Sequence, residues 1–164
     1  MTPRGPLALP HESGYSSGAH WYRLAGIPTP DPQTFWPSFE LLSGWLDGLQ
    51  RPLVLGGFSQ GAVMSWALGL GRCPAKRPEA IVALSGFMPR VEGLELDLSD
   101  LDGYPVAIGH GSYDDVISAQ FSREARSLLE PAGASVLYRE YPLPHTIDPG
   151  FIPELQAFVA AAVE

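Results

Sequence analysis

The chain has 164 residues, enough for one domain with a sizeable core. Hydrophobic residues make up 45% and charged residues only 17%, which excludes an intrinsically disordered chain. Ten basic against 18 acidic side chains give a formal net charge of −8, so nucleic acid is not an expected partner, and no apolar run is long enough for stable membrane insertion.

The N-terminal Met1-Thr2-Pro3-Arg4-Gly5-Pro6 carries no apolar stretch of the kind that marks a secretory signal. Cys73 is the only cysteine, so no internal disulfide is expected and the thiol reads as inert. Together these point to a cytoplasmic protein. Pro6–Pro10 is a very short apolar run between prolines, room for a short strand at most. Residues 11–31 read as loop. Trp21 and Tyr22 stand out there as large rings that either cover the core or line a cleft.

Asp31-Pro32 is a helix-start signal, a capping carboxylate followed by proline at the first helical position. Phe35, Trp36, Phe39, Leu42, Trp45, Leu46 and Leu49 then form a broad apolar stripe. Pro37 falls within the first turns and points to a later start. Leu53-Val54-Leu55 is an apolar strand that runs into Gly57-x-Ser59-x-Gly61. A helical pattern follows through Ala62, Val63, Trp66, Ala67 and Leu70. Gly69, Gly71, Pro74 and Pro78 end that helix.

Ile81–Ser85 is the next strand, followed by the turn Gly86–Pro89. Residues 90–104 form an acidic loop with no metal-ligand spacing. Pro105–Gly111 is a third strand, leading to Ser112–Ile117 and a helix with Phe121, Ala125, Leu128 and Leu129 on one face. Ser135–Tyr141 alternates as a strand. His145 follows it, and Asp148-Pro149 repeats the cap-plus-proline signal before a last helix.

Strands alternating with helices predict a single α/β domain over residues 1–164, a mainly parallel sheet with helices on both faces. Ligands in such sheets bind beyond the carboxyl ends of the strands. Ser59, Asp114 and His145 each follow such an end, in the order nucleophile, acid, base. A serine hydroxyl is a weak nucleophile, so it needs exposure and a base within reach. A tight strand-to-helix turn supplies the exposure and requires small residues at Gly57 and Gly61. The helix N-terminus would aim the Gln60 N–H at a developing oxyanion. In this reading His145 moves the proton and Asp114 fixes the imidazole ring. Asp115 is the alternative acid.

Gly57-Phe58-Ser59-Gln60-Gly61, Ala83-Leu84-Ser85-Gly86-Phe87-Met88-Pro89, His110-Gly111 followed by Asp114, and His145 before a final helix resemble the carboxylesterase/phospholipase family of small α/β-hydrolases. That group includes acyl-protein thioesterases and lysophospholipases. Gly18-Ala19-His20-Trp21-Tyr22 is similar to the family's segment around a cleft tryptophan. The resemblance covers most of residues 6–164. It favours Asp114 over Asp115, and implies a serine hydrolase of carboxylic esters, lysophospholipids or acyl-thioesters that uses no metal or cofactor. Trp21 and Met88 are the expected walls of the acyl pocket.

Two departures stand against that pattern. Ala62 and Pro144 occupy positions where family members usually carry glycine. More importantly, the family's first apolar strand and its Leu-His-Gly loop, which supplies a second oxyanion donor, have no counterpart upstream of Pro6. The expectation is an N-terminally truncated fold with a gap beside the nucleophile strand. The 7–9 segment moving in, a second chain (a homodimer) or a missing part of a longer protein would fill that gap, and the last is favoured. A hydrolase-fold binding or interaction module with impaired catalysis is the alternative function.

Overall fold

A computed structural model describes residues 1–8, 19–71 and 77–164. The expected strand end at Leu9-Pro10, Gly18 of the tryptophan segment, Cys73 and Pro74 lie outside the described residues. Two short antiparallel pairs come first. Strand β1 (Leu7–Ala8) pairs with β2 (Ala19–His20), and β3 (Leu24–Gly26) pairs with β4 (Thr29–Pro30). Helix α1 (Pro32–Asp47), strand β5 (Val54–Phe58) and helix α2 (Gln60–Leu70) follow. After them come strands β6 (Ala80–Leu84) and β7 (Pro105–Gly111), helix α3 (Gln120–Leu129), strand β8 (Ser135–Tyr141) and helix α4 (Ile152–Val163).

The four long strands form one parallel sheet in the order β5-β6-β7-β8. Helices lie on both of its faces, as alternation of strand and helix requires. On one face Ala62, Trp66 and Leu70 of α2 and Ala125 and Leu129 of α3 pack on Ile81, Ala83, Val106 and Ile108. On the other, Phe151 and Leu155 pack on Val82, Leu84 and Ala107. Helix α1 forms a further layer, with Phe35, Phe39 and Leu42 against Val63, Met64 and Ala67 of α2. Helix α2 is therefore enclosed on two sides, which is why its sequence is apolar nearly all round.

The local signals act as elementary chemistry dictates, with informative exceptions. Asp31 caps α1 by accepting from the Gln33 N–H at 3.0 Å, and Pro32 opens the helix, so the start is not delayed by Pro37. Pro37 lies inside α1 on the exposed side, one turn after exposed Gln33. Gln33, whose carbonyl loses its helical donor there, is an exposed residue, while Phe35 and Phe39 are buried on the other side. The expected loop over 11–31 contains β2, β3 and β4, strands too short to give a period in the sequence. Gly69 lies within α2 rather than ending it. A Cβ there would meet Ile81 Cδ1 at 2.4 Å, so this glycine sets how closely α2 approaches the sheet.

Among the described residues, strand β5 is an open edge. It pairs with β6 on one side, and β1 pairs with β2 rather than moving in beside it. Along the free side lies a cavity of about 650 Å³. Leu42, Trp45, Leu46 and Leu49 of α1 and its exit form one wall, Leu53–Gly57 a second, and Met64 and Leu68 of α2 a third. Among the residues that line it there is no charged side chain.

Candidate active site

Strand β5 ends at Phe58, and α2 begins at Gln60. Ser59 alone makes the turn, with φ 55° and ψ −119°, a backbone conformation that side-chain-bearing residues seldom adopt. Three bonds hold it there. The Ser59 N–H donates to Leu84 O at 2.8 Å, and the Ser59 carbonyl accepts from the N–H groups of Ala62 at 3.0 Å and Val63 at 3.2 Å. Close backbone approach explains one of the two flanking glycines. A Cβ on Gly57 would sit 2.1 Å from the Gly61 carbonyl carbon. Gly61 itself has open space where a Cβ would be, so its side is not where crowding decides. The neighbour that does crowd the turn is Gly86, whose Cβ would meet the Ala62 methyl at 2.6 Å.

The turn lifts the Ser59 hydroxyl to 3.0 Å from His145 Nε2. His145 Nδ1 lies 2.6 Å from Asp114 Oδ2. The other carboxylate oxygen accepts from the N–H groups of Val116 at 3.0 Å and Ile117 at 2.8 Å. Asp114 is thus the acid that reaches the ring, and Asp115 is exposed on the loop. Burial of the Asp114 carboxylate disfavours its charge. The bonds from His145, Ile117 and Val116 outweigh that, and hold its pKa below the usual carboxylate value. Since Asp114 accepts at Nδ1, the neutral ring carries its proton there and leaves Nε2 free to accept from Ser59.

The loop that carries His145 is placed by close packing. A Cβ on Gly111 would meet the carbonyl oxygens of Leu143 and Pro144, each at 2.3 Å, so only glycine lets the two chains pass. Phe58 lies against the His145 ring with centroids 4.7 Å apart.

Gln60 contributes more than its backbone. Its side-chain oxygen accepts from the Trp21 N–H at 2.8 Å, and its side-chain amide donates to Tyr22 O at 3.0 Å. One side chain thus ties the segment containing Trp21 to the residue after Ser59. Ser38 Oγ of α1 also donates to Trp21 O. The two readings of Trp21 and Tyr22 divide between them: Tyr22 is fully buried in the core, and Trp21 is half-buried and lines the large cavity together with Gly57 and Gly61. Met88 is not brought to this cavity. It packs against the α2–α3 core cluster and lines a separate hollow of about 210 Å³ with Pro28, Phe121 and Leu128. Sequence reasoning missed the side-chain role of Gln60, whose partners lie 38 and 39 residues away. It quoted His110 only as part of a motif, and missed that this histidine is buried beside Asp114. Among the described residues no group of three or more His, Cys, Asp or Glu could hold a metal ion.

A parallel sheet with a strained serine at a strand-to-helix turn, flanked by helices on both faces, is the α/β-hydrolase fold. Residues 48–163 match the phospholipase/carboxylesterase family model, and the chain belongs to that family. Among curated proteins it is similar to acyl-protein thioesterase 1 of Gibberella zeae, 31% identical over 111 residues, 65% of this chain and 46% of the relative. The same enzyme of Debaryomyces hansenii is 32% identical over 93 residues, 55% of this chain and 39% of the relative. The chain thus matches less than half the length of these relatives. Of the solved structures, a carboxylesterase from Bacillus cereus aligns with a TM-score of 0.76 at 23% identity, covering 97% of this chain and 73% of that one. No helix among the described residues is long and apolar enough to cross a membrane.

Proposed function

We propose that this chain is a serine esterase or thioesterase that forms an acyl-enzyme on Ser59. The observation that carries the reading is the unbroken line from Ser59 Oγ to His145 Nε2 at 3.0 Å and from His145 Nδ1 to Asp114 at 2.6 Å. His145 takes the hydroxyl proton as Ser59 attacks the acyl carbon, then returns it to the departing alcohol or thiol. Water repeats the cycle and releases the acid. Asp114 keeps the ring in the tautomer that accepts from Ser59 and stabilises the imidazolium. The Gln60 N–H, in the first turn of α2, faces the developing oxyanion. The chemistry uses side chains and backbone alone. One such oxyanion donor is worth about a hundred- to a thousand-fold in rate.

Substrates of this class are small carboxylic esters, lysophospholipids or acyl-thioesters in the cytoplasm, with Trp21 as a wall of the acyl site. Met88, in its separate hollow, is the weaker candidate for that role. The test is hydrolysis of a short-chain p-nitrophenyl ester, with Ser59→Ala beside it and a fluorophosphonate as covalent label. Turnover that vanishes in the variant, with the label on Ser59, is the expected result. A folded protein that neither turns over ester nor takes the label overturns the reading.

The open edge of β5 favours a second reading, an interaction module that recruits a further strand, including one from a second copy of the chain. It predicts a dimer mass by light scattering and an unreactive Ser59. A monomer with a reactive serine rules it out.

A further inference from the structure

A second imidazole stands behind the acid. His110, on β7, is fully buried. Its Nε2 lies 2.8 Å from Ile117 O and 3.2 Å from Asp114 Oδ2, and its Nδ1 lies 2.6 Å from Ser122 Oγ of α3. Ile117 O and the Asp114 carboxylate can only accept. The proton of the neutral ring therefore sits on Nε2, and Nδ1 accepts from the Ser122 hydroxyl. Asp114 Oδ2 bonds His145 and lies 3.2 Å from the His110 Nε2 edge, whose own hydrogen bond goes to Ile117 O, while Oδ1 takes two from the backbone.

We infer that His110 is a positioning residue for the proposed triad: its buried N–H edge, locked by Ser122 and Ile117, holds the Asp114 carboxylate in place and limits how strongly it draws the proton of His145. This rests on the esterase reading for its consequence in catalysis, but the contact itself does not. The other polar groups that face His110 are accounted for. Burial lowers its pKa, which keeps it neutral near pH 7, against the opposing pull of the Ile117 carbonyl and Asp114. On β8, Glu140 is its register partner, and that carboxylate is taken up by Arg123 of α3 at 2.7 and 2.8 Å and by the Tyr138 hydroxyl at 2.6 Å. His145 approaches the same Asp114 oxygen, and its charge adds to the lowering of the His110 pKa.

A neutral donor suits this place. A lysine or arginine there would neutralise Asp114 and weaken its support of the imidazolium, and an apolar side chain would leave the carboxylate more basic. The loop from Ser112 to Ile117 is fixed by the same ring, because Ile117 both donates to Asp114 and accepts from His110.

The test is NMR of the histidine rings in the wild-type chain and in two variants. In the wild type, long-range proton–nitrogen correlations should show His110 as the neutral Nε2–H tautomer near pH 7, its pKa lowered by burial. In His110→Leu, the midpoint of the His145 ring titration should move up by about half to one pH unit, since the carboxylate has lost the positive N–H edge beside it. In His110→Gln, whose amide nitrogen can reach the position of Nε2, the midpoint should return toward wild type. An Nδ1–H tautomer in the wild type, or a His145 midpoint unmoved in folded His110→Leu, overturns the inference. Loss of stability with an unmoved midpoint identifies a merely structural histidine. None of these readouts needs turnover. Failure of fluorophosphonate labelling at Ser59 would instead strike the esterase reading and leave the His110–Asp114 contact standing.

Discussion

At the residue scale, single atoms decide where the chain can pass. Gly57→Ala places a methyl 2.1 Å from the Gly61 carbonyl carbon, so the Ser59 turn must open. The expected outcome is a loss of esterase turnover together with a destabilisation of about 1–3 kcal/mol, read by urea unfolding. Gly111→Ala drives a methyl onto two carbonyl oxygens ahead of His145 and should separate the imidazole from Ser59. Its signature is lost labelling at Ser59 with the core intact by near-ultraviolet circular dichroism. Tyr22 offers a change in the other direction. Its hydroxyl is buried without a hydrogen-bond partner among the described residues, and burial pushes its pKa up. Tyr22→Phe removes that desolvated oxygen and is expected to be neutral or to stabilise by about 1 kcal/mol. A clear loss of stability would show that the hydroxyl is satisfied.

At the element scale, most of the architecture was legible because the sequence signals were local. The Asp31-Pro32 cap, the Gly57-x-Ser59-x-Gly61 turn, the apolar runs at 81–84 and 105–109 and the alternation at 135–141 each specify an element by chemistry within a few residues. The order Ser59, Asp114, His145 was readable for the same reason, since each follows a strand end. What was not legible depended on partners far along the chain. The short pairs β1–β2 and β3–β4 give no period, Gly69 is explained only by Ile81 on the neighbouring strand, and the place of Met88 only by the α2–α3 packing around it. Pro37 misled because its effect on α1 depends on which side faces water. The Asp31 cap carries a prediction of its own. Asp31→Ala should cost about 1 kcal/mol, seen as a lower urea midpoint at unchanged slope.

For the whole molecule, buried ionisable groups around the site set the pH response. Asp114 has a folded pKa below its unfolded value, so the stability it contributes is present above about pH 4 and is lost as pH falls further. His110 also has a lowered folded pKa. The unfolded chain binds its proton first, so stability begins to fall as pH drops below about 6.5, with a slope of up to about 1.4 kcal/mol per pH unit. Urea midpoints measured from pH 8 to pH 5 should decline in the wild type and decline less in His110→Gln. An equal decline in both would assign the acid sensitivity elsewhere.

The amide of Gln60 has a kinetic consequence. It joins Trp21, in the lining of the large cavity, to Gln60, the residue proposed above as oxyanion donor. Under the esterase proposal, a substrate tail that displaces the indole would pull on the turn that holds Ser59. Along a series of esters of increasing tail length, selectivity should appear in the rate of the acylation burst more than in the strength of binding, and Gln60→Leu should flatten that dependence. The protein would then measure its substrate by how fast it reacts, through a lever one side chain long.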